Sequence, residues 1–243
     1  MRNILSMEDR GASGSGRENS AAARGKRRDL LELAVAYLLI LLVVWTPRPW
    51  QRMLWCVAAA SVVAILCISF DGLKAMGLRR ANFFPSLWVA GVALAVAAVA
   101  VAVAAWLHTL RVPRGPVLFI ETYWAYALWT FAQQFLLQCF FLLRLRRLLS
   151  NAKSAAAVAA VLFAIAHLPN PILTSVTLIW GFAACLLFLR YRNLYPLAMA
   201  HAILGITIAI TVPGPVDHNM RVGLGYLTYR HRIQPTAYPS PQP

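Results

Sequence analysis

From residue 85 to residue 107 the chain has no charged side chain, and between Ala90 and Ala105 it is almost entirely Ala and Val. A run of that kind is too long and too uniformly apolar for the half-buried helix of a soluble domain; crossing a bilayer takes roughly 20 such residues at about 1.5 Å each. Comparable runs lie near residues 30–46, 50–70, 117–143, 154–169, 171–189 and 194–212, making seven in all. With 60% hydrophobic and 13% charged residues over 243 positions, the chain reads as an all-α, polytopic integral membrane protein of about seven helices. Only Leu168-Pro169-Asn170-Pro171 parts the fifth run from the sixth, which suits a tight helical hairpin or a re-entrant pair.

The formal charge of +15 does not point to nucleic acid, because the basic residues fall between apolar runs and form no aromatic-interleaved patch. They orient the protein instead. Lys74, Arg79 and Arg80, then Arg144, Arg146, Arg147 and Lys153, then Arg190 and Arg192 follow alternate runs, and a basic cluster from Arg24 to Arg28 precedes the first. The opposite connections hold only Arg48 with Arg52 and Arg111 with Arg114. By the excess of Lys and Arg on cytoplasmic loops, a multi-pass protein of the cell membrane with a cytoplasmic N-terminus is expected.

Composition divides the chain into a flexible cytoplasmic tail over 1–28, a transmembrane helical domain over 29–212, and an extramembrane C-terminal tail over 213–243 rich in Pro and Gly. The mixed stretch Asp71 to Phe84 suits a short interfacial helix. Cys56, Cys67, Cys139 and Cys185 all lie in apolar runs at spacings that match no metal knuckle or disulfide framework, and read as small core residues. No cofactor motif is present.

Against this background Gln133, Gln134, Gln138, His167 and His201 stand out, since polar groups in hydrocarbon are costly and mark functional sites by default. Counted from the basic ends of their runs, Gln134, His167 and His201 lie roughly 15, 20 and 10 Å deep at helical rise, so three helices bring polar groups to overlapping levels. Gln134 and Gln138, spaced i to i+4, share a helix face. Each side chain by itself is equally at home as an interhelical hydrogen-bonding residue. Two histidines without a carboxylate or thiolate beside them make an incomplete zinc site. Asp217-His218-Asn219, after Pro213-Gly214-Pro215, reads as a hydrogen-bonded turn, and Glu121 as a solvated boundary residue.

The run Gln133-Gln134-Phe-Leu-Leu-Gln138, then Phe163-Ala-Ile-Ala-His167 followed by Leu-Pro-Asn170, then His201-Ala-Ile-Leu-Gly205, resembles three ordered motifs of one family. They are Glu-Glu-x-x-x-Arg, Phe-x-x-x-His and His-x-x-x-Asn or Asp of the CAAX protease and bacteriocin-processing (Abi-type) glutamic intramembrane proteases. The resemblance spans about residues 117–212, the expected protease-like core. It implies a CAAX-type intramembrane endopeptidase acting on a membrane-associated peptide or protein within the lipid bilayer. Carried over by position, Gln133 stands for the base, Gln134 for the second carboxylate, His167 for the co-activator of water and His201 for the oxyanion donor. Gln138 stands where the arginine belongs, Gly205 where the asparagine or aspartate belongs, and Phe163 and Asn170 join the binding candidates.

The departures touch the chemistry. An amide cannot act as a general base near neutral pH, and glycine supplies no donor. Replacing Glu, Glu and Arg together by three glutamines is nevertheless coherent, because it exchanges a buried charge set for a neutral hydrogen-bonded one. Two outcomes follow: a protease in which His167 is itself the base, or an inactive relative that binds a peptide, lipid or partner helix in the same cavity.

Overall fold

The computed structural model describes residues 5–229, with side chains from residue 23 onward; among these residues there are helices and turns and no strand. In chain order the helices are α1 (Leu5–Trp45), α2 (Trp50–Ile68), the single turn α3 (Phe83–Ser86), α4 (Trp88–Trp106), α5 (Pro116–Phe135), a π-helical stretch (Leu136–Leu142), α6 (Leu143–Leu148), α7 (Ala152–Ile165), α8 (Pro171–Tyr191), α9 (Tyr195–Thr211), α10 (Gly214–Asp217) and α11 (Gly223–Leu227). All seven apolar runs are helical, and the protein is an all-helical, multi-pass membrane protein.

Boundary chemistry explains where the helices start. The Asn151 side chain accepts from Lys153 N at 2.8 Å and so caps α7, and Asn170 accepts from Leu173 N at 3.1 Å to cap α8, with Pro171 in the first turn. Arg192 adopts the left-handed conformation (φ 50°) that ends α8. Along α7 the buried face is Ala155, Ala156, Ala159, Ala160 and Ala164, small residues that let α8 approach closely. Large apolar side chains face outward instead, Val99 at 66% exposure and Ile179 at 73%, as lipid contact requires.

By length and composition four helical rods can cross a bilayer, 50–68, 83–106, 116–148 and 171–191, while α7 and α9 are shorter apolar helices. Of the seven expected runs, four meet that criterion among the described residues. With 14 and 17 residues, α7 and α9 reach only about 21 and 25 Å against a hydrocarbon core of about 30 Å. The α7–α8 pair forms the expected hairpin, with its tip at Ala166 to Asn170.

Other expectations change as well. Helix α1 already includes residues assigned by composition to a tail over 1–28, so residue 28 is no helix boundary. Near that point Asp29 and Glu32 enter a charged clasp. Arg144, fully buried, donates Nε–H to Glu32 Oε2 at 2.8 Å, Ser69 Oγ donates to Glu32 Oε1 at 2.6 Å, and Arg147 bridges Asp29 and Asp71 at 2.7 Å each. The stretch 71–82 is turns rather than an interfacial helix, held by Leu194 N–H to Gly77 O at 3.1 Å. Cys139 and Cys185 are buried, whereas Cys56 and Cys67 face outward.

The C-terminal segment is a folded cap as far as residue 229; the proline-rich remainder of the expected tail, 230–243, lies outside the described residues. Gly223 N–H donates to Leu168 O at 2.7 Å, and Asn170 Nδ2 donates to Asp217 O at 2.8 Å and Arg221 O at 3.1 Å. Gly223, with φ +54°, lies so close to α1 that a Cβ there would strike the Val44 carbonyl. The expected turn at Asp217-His218-Asn219 is present, with Asn219 N–H donating to Asp217 Oδ1 at 2.9 Å, and burial raises the Asp217 carboxyl above its ordinary pKa.

Candidate active site

Beneath the cap a cavity of about 230 Å³ opens between α1, α5, α7, α8 and α9. Its polar lining consists of Gln133, His167, His201, Tyr37, Tyr126, Thr177 and Trp180, set among aliphatic and aromatic side chains, and among the described residues no Asp or Glu contributes to it. Met220 and Val222 of the cap close the end beside the hairpin tip.

Three of the five intramembrane polar residues form one chain of hydrogen bonds. Gln138 Nε2 donates to Gln134 Oε1 at 3.2 Å, and Gln134 Nε2 lies 3.0 Å from His201 Nδ1. Because the Gln134 oxygen already accepts, the group it turns to His201 is an N–H, which assigns Nδ1 as the acceptor and leaves the neutral ring's proton on Nε2. His167 is set the other way. Its Nδ1 lies 2.7 Å from the Phe163 carbonyl, so Nδ1 carries the proton and Nε2 keeps a free lone pair. The Phe163 ring meets both imidazoles edge-on, with centroids 4.8 Å from His167 and 5.9 Å from His201. One cavity wall thus offers a proton acceptor, the other a proton donor.

The π-helical turn at Leu136–Leu142 follows directly on Gln133 and Gln134 and carries Gln138. Such turns displace a side chain from its α-helical position and occur frequently at functional sites. Gln134 and Gln138 are both fully buried and lie behind the cavity wall rather than in it; Gln138 Oε1 has no partner among the described residues. Gln133, partly buried, is the amide that reaches the cavity.

Asn170 stands apart. Its oxygen caps α8 and its amide ties down the cap segment, so every polar atom is engaged in structure and none faces the cavity. Glu121 is exposed on α5, away from the lining. Among the described residues no group of three or more His, Cys, Asp or Glu side chains converges as a metal site would require. Sequence reasoning passed over Tyr37, whose hydroxyl donates to Leu162 O at 3.0 Å, as well as Tyr126 and Trp180. For Tyr126 a signal existed: it precedes Gln133 by two helical turns and so shares its face.

A helical membrane bundle with two oppositely polarised histidines in a buried cavity is the class of protein defined by this architecture. Residues 116–207, from the start of α5 into α9, match the family model described as type II CAAX prenyl endopeptidase Rce1-like. That stretch, less than half of the chain, is similar to the CAAX protease family. Comparison with curated proteins and with solved structures gives no match.

Proposed function

We propose that this protein is a CAAX-type intramembrane endopeptidase that hydrolyses a peptide bond of a membrane-associated substrate without a carboxylate base. The observation that carries this reading is the opposite polarity of the two rings in one cavity, His167 with Nε2 free to accept and His201 with Nε2–H free to donate. Water loses a proton to His167 Nε2 as its oxygen bonds to the scissile carbon. The carbonyl π pair moves onto oxygen, where His201 Nε2–H receives it. The C–N bond then breaks, and His167 returns its proton to the leaving amine. Throughout, His167 Nδ1–H stays on the Phe163 carbonyl, whose dipole favours the transient imidazolium. Gln133 offers both an acceptor and donors to the incoming water or backbone.

The basic connections and the clasp around Arg144 gather at one end of the bundle, which supports a cytoplasmic N-terminus in the cell membrane. Full-length protein in lipid nanodiscs, given a quenched fluorescent peptide with a prenylated CAAX end, is expected to release the C-terminal fragment. His167→Ala and His201→Ala each abolish release; turnover surviving in both variants refutes the site.

A second reading, binding without cleavage, is favoured by the carboxylate-free lining. It predicts that the same peptide binds and is not cut, and that Gln133→Glu with Gln134→Glu creates cleavage. A histidine-dependent product from the unaltered chain rejects it.

A further inference from the structure

Position 205 is glycine, one helical turn after His201 on α9, and it lines the cavity. The space over it is filled. A Cβ built at 205 would overlap the Tyr126 hydroxyl and lie 2.8 and 2.9 Å from ring atoms Cζ and Cε1, so the phenol of α5 rests directly on the bare α9 backbone. Side chains on a helix lean toward its N-terminus, so a side chain at 205 would project over the turn that holds His201. The Tyr126 hydroxyl occupies the start of that path. This hydroxyl keeps accessible surface, and the residue lines the cavity. A phenol O–H in a largely apolar cavity ordinarily finds a partner. Here the open side is the cavity, and the missing partner is an acceptor brought by the ligand.

We infer that Tyr126 is a second hydrogen-bond donor of the site, supplying from α5 the donor that position 205 lacks, and that it and His201 Nε2–H together receive the carbonyl oxygen of a bound peptide. Tyr126 would thereby be a catalytic residue: its O–H points at the oxygen on which charge develops as water adds, and it keeps its own proton throughout. The inference rests on the reading of the cavity as a peptide site, and its test separates the two.

The variant is Tyr126→Phe, which removes one oxygen and keeps the ring over Gly205. With the prenylated CAAX peptide in nanodiscs, kcat is expected to fall about 100-fold, the order seen for loss of one oxyanion donor, with KM within about twofold. A merely structural tyrosine would change KM and thermal stability together and leave their ratio to kcat uninformative, so thermal midpoints are measured alongside. Unchanged kcat in Tyr126→Phe, with His201→Ala inactive, overturns the role of Tyr126 and leaves the protease reading in place. The reciprocal pair Tyr126→Ala with Gly205→Asn returns a donor from the other helix and is expected to recover at least tenfold over Tyr126→Ala alone.

If the unaltered protein does not cleave, the proposed function fails and infrared spectroscopy decides the inference. The probe is the same peptide with a ¹³C=O label at the bond before the aliphatic residues. A carbonyl stretch lowered on binding, and shifted back in Tyr126→Phe, upholds the donor without catalysis. A stretch identical in both proteins, or no binding at all, overturns it.

Discussion

Replacing Gln134 by leucine keeps the side chain's bulk and removes the middle link of the chain from Gln138 to His201. Two buried groups then lose their partners, the Gln138 amide and His201 Nδ1, held in the native protein at 3.2 and 3.0 Å with Gln134 fully buried. Such orphans cost about 1–3 kcal/mol each in soluble proteins. Interhelical hydrogen bonds in membranes average nearer 0.6 kcal/mol, because the unfolded chain in lipid also finds partners. Only the His201 bond is interhelical, so the expected loss is about 1–2 kcal/mol, well short of unfolding. The more telling consequence is at the ring. Without the amide, His201 has no reason to keep its proton on Nε2, and the two neutral forms become comparably populated. Nitrogen NMR of selectively labelled histidine in detergent is expected to show one His201 tautomer, protonated at Nε2, in the native protein and a mixture in Gln134→Leu. Urea or detergent denaturation supplies the stability. A native His201 protonated at Nδ1, or a single unchanged tautomer in the variant, would refute the claim that the glutamines orient this histidine.

Glu32→Ala strips the partner from Arg144, which has no exposed surface, and is expected to cost about 3–5 kcal/mol, whereas Glu32→Met combined with Arg144→Met recovers most of it; thermal unfolding of the two variants checks this. Gly223→Ala forces a side chain into the Val44 carbonyl at φ +54°, so the cap is expected to detach, read as rapid exchange of the Gly223-position amide and new protease sensitivity between 213 and 227. For Asp217 the raised native pKa means that the folded cap binds the proton more tightly than the unfolded chain, so its stability decreases as pH rises through the interval above the ordinary value of 3.8 and is regained on acidification. Asp217→Asn keeps the Oδ1 acceptor for Asn219, relieves the unpartnered Oδ2, and is expected to abolish that dependence in exchange measurements corrected for intrinsic rates.

The positions of the helices were legible in the sequence because apolar run length is a local quantity, and so was the tight hairpin, announced by Leu168-Pro169-Asn170-Pro171. What the cap does was not. Its Pro and Gly content reads locally as loop, and its order depends on Leu168 and Asn170 of the hairpin tip and on Val44 of α1. Gln134 and Gln138 were placed on a shared face, and they do bond, yet both lie behind the cavity wall, a layer that spacing alone does not separate from the lining. Asn170 looked like part of a motif, but its side chain serves three backbone groups of two segments. Tyr126 was overlooked because a tyrosine in an apolar helix reads as packing; its meaning comes from the absence of a side chain on α9.

The shortness of α7 has a consequence for the surrounding lipid. At 14 residues α7 is about 9 Å shorter than a full hydrocarbon crossing, whereas its partner α8 is long enough to cross, so acyl chains beside α7 meet a helix of lesser height. The bilayer must thin there or let the cap fill the gap, at a fraction of a kcal/mol for each ångström of mismatch. Lipid thickness therefore becomes a variable of the cavity. Membranes of different thickness change that mismatch beside the hairpin that carries His167.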